Sequence, residues 1–247
     1  MTITVITICW NSAGTLRRCM DSLLRQRRLP NEYILVDGGS SDGTLALAEE
    51  AQAAFAAAGI AFKVLAQERR EGEAGIPSAW NQGIAASSGE VIALLNSDDW
   101  YEEDALIEIE KALAQVPAAD MVVVPIQLRK QTGEICGEIY PKCLWLSELM
   151  MPLPHPGSFV RRRLYDRLGL YDTQYRIAAD YDFIWRCRKA DVPYLTLSLP
   201  LVNMAVGGAA NSSRALARNE TLAIARRHSA FPLLAWLAWL ARFLLNK

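Results

Sequence analysis

The sequence is short of the residues that announce the commoner chemistries. Its two histidines, His155 and His228, stand far apart, and its five cysteines, Cys9, Cys19, Cys136, Cys143 and Cys187, include no C-x-x-C pair. Neither a zinc site nor a disulfide framework is indicated. There is no G-x-x-x-x-G-K-[ST] loop and no G-x-G-x-x-G turn after the first apolar run, so the usual P-loop and dinucleotide fingerprints are absent. "MTITVITICW" has no basic stretch ahead of its apolar residues and no small-residue cleavage site after them. It reads as a strand and not as a signal peptide, and a reducing cytoplasm is the expected location. A formal net charge of -1 gives no global pull towards nucleic acid.

What is there suits a globular protein with an ample core: 247 residues, 51% hydrophobic and 21% charged, enough for one large or two small domains. The first half alternates strand and helix. "ITVITIC" is β-branched and continuous, as a strand covered on both faces should be, and a helix-like "AGTLRRCMDSLLRQ" follows. Next come "EYILVD", an Ala-rich helix from Gly43 to Ala58 closed by Gly59, "AFKVLA", a helix near Pro77 to Ser87, and "VIALLN". Repeated βαβ units of this length imply a parallel sheet with right-handed crossovers. The second half breaks the rhythm, and "MVVVPIQLRKQTGEICGEIY" predicts a hairpin around Thr132-Gly133.

In an open parallel sheet, ligands bind beyond the carboxyl ends of the strands. Strand one exits into Cys9, Trp10, Asn11 and Ser12, strand two into Asp37, Gly38, Gly39 and Ser40, and strand four into Asn96, Ser97, Asp98 and Asp99. All three exits lie on one edge. Together they offer an aromatic wall, a lone carboxylate beside flexible glycines, and an acidic pair whose mutual repulsion calls for water, donors or a cation. That set suits a nucleotide whose diphosphate is held by a metal. Taken singly, Asp98 or Asp99 would also serve as the cap of a helix beginning near Tyr101, "SSDGT" as the cap after strand two, and Trp10 as core.

The blocks "VITICWNSAGTLRRCMDSLLRQ", "EYILVDGGSSDGT", "GIPSAWNQGIAASSGEVIALLNSDD" and "HPGSFVRRRLYDRLGLYDTQYRIAADYDFIWR" resemble, in order, those of family-two glycosyltransferases of the GT-A fold. The branch they look like includes bacterial transferases of exopolysaccharide and lipopolysaccharide assembly. The resemblance covers about residues 3 to 190. It implies an α/β fold with a nucleotide-binding, mostly parallel sheet flanked by helices, an acceptor-side extension and C-terminal helices. It also implies inverting transfer of a sugar from a nucleotide diphosphate sugar, a uridine nucleotide being favoured, with Mn or Mg as cofactor. Carried over by position, Trp10 and Asp37 flank the base with Cys9, Asn11 and Asn81 on the same cofactor-binding side. Asp98 lies near the ribose, Asp99 holds the metal, and Asp180 is the general base. His155 and Asp182 fall on the acceptor side, Asp182 being a competitor for the role of base.

The chain departs from that pattern where "GIPSAWN" replaces a Tyr-Asp pair of close relatives, and either Glu71 or Glu73 takes the place of an acidic residue upstream. A Q-x-x-R-W signature is absent, which favours single addition over polymerisation. A non-catalytic nucleotide-sugar-binding scaffold would share the fold. A nucleotidyltransferase would need basic residues in "WNSAGTL", which has none. The expected organisation is a transferase domain over 1–210, its nucleotide-sugar half about 1–100 and its acceptor half about 101–210, with a helical appendage over 211–247. "AVGGAANSS", 205–213, suits a lid or a linker. The segment 214–247 holds Arg214, Arg218, Arg226, Arg227, Arg242 and Lys247 against Glu220 alone. Its apolar end, "FPLLAWLAWLARFLLNK", falls short of the roughly 20 residues that span a bilayer. It suits a helix lying in a membrane interface, or else one packed on the core or on a second copy as a homodimer. The expected acceptor is a glycan or a lipid-linked sugar at the inner face of the cell membrane.

Overall fold

The computed structural model describes residues 1–68, 71–73, 75–130, 132–207, 214–229, 231, 236–237 and 239–240. Most of the expected lid (208–213), Gln131 in the turn of the expected hairpin, and most of the apolar end (232–235, 238, 241–247) lie outside the described residues. None of the helices found among the described residues is long and apolar enough to cross a membrane.

The β-branched run forms β1 (Ile3–Cys9), an interior strand of the larger sheet. It pairs in parallel with β2 (Glu32–Asp37) on one side and β4 (Val91–Leu94) on the other, and β2 in turn pairs in parallel with β3 (Ala61–Ala66). The crossovers are α1 (Leu16–Leu24), α2 (Thr44–Ala57) and α3 (Gly75–Ala86). The remaining strands of this sheet are β6 (Met121–Val123), β9 (Ser158–Arg161) and β10 (Tyr194–Thr196), in the order β10-β6-β9-β4-β1-β2-β3 with β9 antiparallel to both neighbours. A smaller sheet joins β5 (Trp100–Tyr101), β11 (Val202–Ala205), β7 (Ile126–Arg129) and β8 (Ile135–Ile139). The hairpin at Thr132-Gly133 is β7 and β8 alone, with Gly133 at φ 86° in the turn. "MVV" ahead of it belongs to the larger sheet. The helix expected near Tyr101 starts later, as α4 (Ala105–Gln115), because Trp100 and Tyr101 pair with Val202 and Asn203.

Successive side chains of a strand point to opposite faces, and β1 shows the consequence. Ile3 and Val5 enter a core shared with α1, α2 and α4, while Ile6 enters a second core with Trp80, Tyr171 and Trp185. The second core is closed by α3, α5 (Arg162–Leu168), α6 (Ala179–Lys189) and α7 (Arg214–His228), whose Ile224 is fully buried. The helix α7 thus packs on α6 and is continuous with the core.

The helix α3 lies tightly on β1 because Gly83 has no side chain: a Cβ there would run into Ile6 Cγ2. Gly83→Ala is therefore expected to destabilise the protein by about 1–3 kcal/mol, the usual cost of overpacking. Urea denaturation with an unchanged midpoint would show that the helix can lift without loss.

Candidate active site

The parallel strands β1, β2 and β4 end on one edge of the sheet, so the residues that follow them are neighbours. Trp10 is 66% exposed there, a free ring face and not a core residue. Asn11 adopts φ 50°, a conformation that Asn tolerates better than most residues. Its amide donates to Ser40 Oγ at 2.8 Å and its side-chain oxygen accepts from the Ser41 amide at 2.9 Å, tying the first loop to the second. Asp37 is buried, and its carboxylate accepts from the amides of Gly39 and Ser40, both at 2.9 Å, and from Ser40 Oγ at 2.5 Å. Those donors hold its pKa below the usual carboxylate range against the opposing effect of burial. Cys9 is buried with its thiol 3.4 Å from Asp37 Oδ1, and burial pushes the thiol up. Cys9 and Asp37 therefore shape the loop, while Trp10 provides its exposed surface. In the "SSDGT" turn the cap residue of α2 is Gly43, at φ 90° and without a side-chain cap, while Asp42 Oδ1 accepts from the Thr44 amide at 3.1 Å.

The acidic pair follows β4. Neither carboxylate is a helix cap. Asp99 is 1% exposed; Asn96 Nδ2 donates to its Oδ2 at 3.0 Å and the Ala205 amide to its Oδ1 at 3.1 Å, which pins β11 to the end of β4. Burial, followed by the charge of Asp98, pushes its pKa up to about 8, and burial raises half-buried Asp98 as well. A carboxylate has about four acceptor positions, so two N–H donors leave Asp99 further capacity. Among the described residues no group of three or more His, Cys, Asp or Glu side chains gathers as a metal site. Two hard carboxylates without a third ligand fit Mg or Mn, which take their remaining oxygens from substrate phosphates and water.

Arg18 was not anticipated at this site. Its guanidinium sits 3.6 Å from the centre of the Trp100 ring and donates to the Asp98 carbonyl at 3.2 Å. The contact joins residues 80 apart in sequence, so only the fold reveals it. Ser12 and Ser97 share a hydrogen bond of 2.9 Å across the same edge.

A second group forms on the α3 face of the sheet. Asp180, in the first turn of α6, lines a crevice of about 10 Å³ with His155, Ser158, Tyr171 and the apolar residues Met121, Met151, Val160, Phe183 and Ile184. That is the room of about one water. Burial pushes the Asp180 carboxyl up to about 6, against the hydrogen bond it accepts from the Tyr181 amide at 2.8 Å. His155 stacks on Trp80 with ring centres 4.4 Å apart, and burial pushes its pKa down to about 4, so the imidazole is neutral at neutral pH. Its Nε2 is buried, and no hydrogen-bond partner for it is found among the described residues.

Two of the expected site residues make structural bonds. Asn81 clamps the backbone of Tyr171, donating to its carbonyl at 2.8 Å and accepting from its amide at 2.9 Å. Both halves of its amide group are engaged away from the nucleotide edge. Asp182 is 2% exposed, with Arg186 Nε at 2.8 Å from one oxygen and His228 Nε2 at 2.8 Å from the other. It is an ion-pair partner, and it does not line the crevice. Of the two acidic residues upstream of α3, Glu73 accepts from Ser78 Oγ at 3.1 Å.

Comparison with known proteins adds a family. The model described as "Glycosyl transferase family 2" matches residues 4–165. A "PGL/p-HBAD biosynthesis glycosyltransferase" of Mycobacterium bovis (strain BCG / Pasteur 1173P2) is 30% identical over 180 residues, 72% of this chain and 66% of that protein. The chain thus spans just under two thirds of that relative's length. The "Putative glycosyltransferase EpsH" of Bacillus subtilis (strain 168) is 35% identical over 102 residues, 41% of this chain and 27% of that protein. Among solved structures, S. aureus TarS 1-349 in complex with UDP-GlcNAc superposes with a TM-score of 0.69 at 17% identity, covering 97% of this chain and 70% of that one. The same protein in complex with UDP gives a TM-score of 0.69 at 16% identity, covering 98% and 71%. Likeness at that identity establishes the fold, which is the GT-A type.

Proposed function

The chain belongs to glycosyl transferase family 2, and on that premise we propose that it is an inverting, metal-dependent glycosyltransferase. It would move one sugar from a nucleotide diphosphate sugar to a hydroxyl of a glycan or lipid-linked acceptor in bacterial surface polysaccharide synthesis. The observation that carries the proposal is Asp180. It is an acid lining a small crevice, with its pKa near 6, close to where a general base is both ionised and strong enough to act.

In the proposed reaction the acceptor oxygen bonds to the anomeric carbon as the bond from that carbon to the diphosphate breaks. The electron pair leaves on the phosphate oxygen. Asp180 takes the hydroxyl proton from the face opposite the nucleotide, which gives inversion. The neutral imidazole of His155, which lines the same crevice and whose Nε2 has no partner among the described residues, would orient the acceptor. On the donor side the exposed ring of Trp10 would wall the base, and the braced Asp37 loop would fix the shape of that pocket. Asp98 would lie near the ribose and Asp99 would hold Mn or Mg, whose chemistry when bound is to offset the charge growing on the departing diphosphate. S. aureus TarS is solved with UDP and UDP-GlcNAc, which makes UDP-GlcNAc the first donor to try.

Asp180→Asn should bind UDP in Mn as tightly as the wild type, bind it poorly in EDTA as the wild type does, and lose about 10²- to 10⁴-fold in turnover. Calorimetry beside a UDP-release assay reads all three. Equal UDP affinity in EDTA and Mn would remove the metal from the proposal, and unimpaired turnover would remove Asp180.

The proposal also places the protein peripherally on the inner membrane face. Phe231, Trp236 and Leu237 are exposed, and they follow Arg226 and Arg227 in the last turn of α7. Exposed aromatics beside basic groups suit an anionic lipid interface. The full chain should float with anionic liposomes, less so in high salt, and a form ending at Ser229 should not. Equal flotation of the two forms would leave the apolar end as a packing or dimerisation segment.

A further inference from the structure

The helix α7 reaches into the segment that carries Asp180. From its middle, Glu220 Oε1 accepts from the Arg176 amide at 2.7 Å, and Oε2 accepts from the amides of Ile177 and Ala178 at 2.8 and 2.9 Å. Three successive amides converging on one carboxylate make a backbone nest of the kind that binds anions. The turn stands immediately before α6. Helix starts leave amides without partners, and Ala178, in the capping position, has no side-chain acceptor to offer. Glu220 supplies an acceptor for the cap amide of Ala178 and for the two amides before it, and sets a negative charge where the helix dipole favours one.

The rest of α7 holds the same segment elsewhere. Arg227 pairs with Asp172 at 3.1 Å and reaches Tyr175 Oη at 3.4 Å. His228 holds Asp182 at 2.8 Å, and its ring stacks on Trp185 with centres 5.9 Å apart. The segment from Asp172 to Trp185 is thus gripped before and after Asp180. Glu220 acts on the turn that fixes where α6 begins.

We propose that Glu220 is a positioning residue for the transfer: its carboxylate gathers the amides of Arg176, Ile177 and Ala178, and so fixes the turn that presents Asp180 to the crevice. The inference rests on the reading of Asp180 as the base. Its cost is electrostatic. Among the described residues the groups that face Asp180 are Glu220 from α7, His155 from the short turn before β9, Tyr171 from the loop after α5, and the Tyr181 amide and its own amide on α6; Asp182 is turned to Arg186 and His228. Burial does most to raise the Asp180 pKa, and the Glu220 charge adds to it. Removing that charge lets Asp180 ionise at lower pH.

The test uses the full chain as wild type, Glu220→Gln, Glu220→Ala and Asp180→Asn. Hydrogen exchange at the 176–178 amides should quicken about 5- to 10-fold in Glu220→Ala, the factor a lost helix cap carries. Carbon NMR titration of the Asp180 carboxyl, assigned by its loss in Asp180→Asn, should move to lower pH in Glu220→Gln. With UDP-GlcNAc and Mn, kcat should fall by up to about 10²-fold, as misplacement of a reacting group allows, while KM stays within about twofold. A change of fold stability alone would leave the titration where it was. Should Glu220→Ala fail to fold, Glu220→Gln, which keeps one acceptor oxygen, carries the titration. A defective Asp180→Asn beside a Glu220→Gln of unchanged titration and turnover overturns this inference alone. An Asp180→Asn with wild-type turnover overturns the reading of the base, and this inference with it.

Discussion

A carboxylate taken out of water has to be met by donors or by a cation, and the arrangement of this molecule follows that rule. Glu32, at the start of β2, is met by Lys63, Thr4 and Ser88, which closes the lower edge of the sheet. Asp120 takes Arg163 and Arg167, joining the loop before β6 to α5. Glu148 takes Arg188 and Ser229, tying the 3-10 turn Leu144–Glu148 to α6 and to the end of α7. Asp37, Asp99 and Asp182 are engaged as described above. All six of these buried carboxylates have partners, and most of these partnerships join parts of the chain that would otherwise be separate.

Against that background the active candidates are the acids whose environment leaves something unmatched. Asp180 is hydrogen-bonded by its neighbour's amide and by no cation among the described residues, and its pKa is raised accordingly. Asp99 is matched by two donors yet pushed up to about 8, because burial and the Asp98 charge outweigh them. Mismatch of this kind costs stability. It is tolerated where a substrate proton or a bound cation removes it, which is why strongly shifted groups gather at functional sites.

The parts of the fold legible in the sequence were those set by local pattern. The β-branched runs became β1 to β4 in parallel register, Gly133 marked the β7-β8 turn, and Gly59, at φ 72°, ended α2. The strand exits were legible for the same reason, since parallel strands put their carboxyl ends together. What escaped was long-range pairing. β5 and β11 meet across about a hundred residues and shift the start of α4. Arg18 finds Trp100, and Glu220 finds the 176–178 amides, through a fold that no local spacing reports. Side-chain partners within the motifs were equally hidden. Asn81 and Asp182 lie inside the resembling blocks, and both are occupied by structural bonds.

The central claim is that Asp180 acts as a base on the face of the donor sugar opposite the nucleotide. Rapid proton NMR of the sugar first released when UDP-α-GlcNAc is turned over in Mn with water as acceptor tests it most directly. The account predicts the β-anomer, seen before mutarotation mixes the two forms. Initial release of the α-anomer would contradict it.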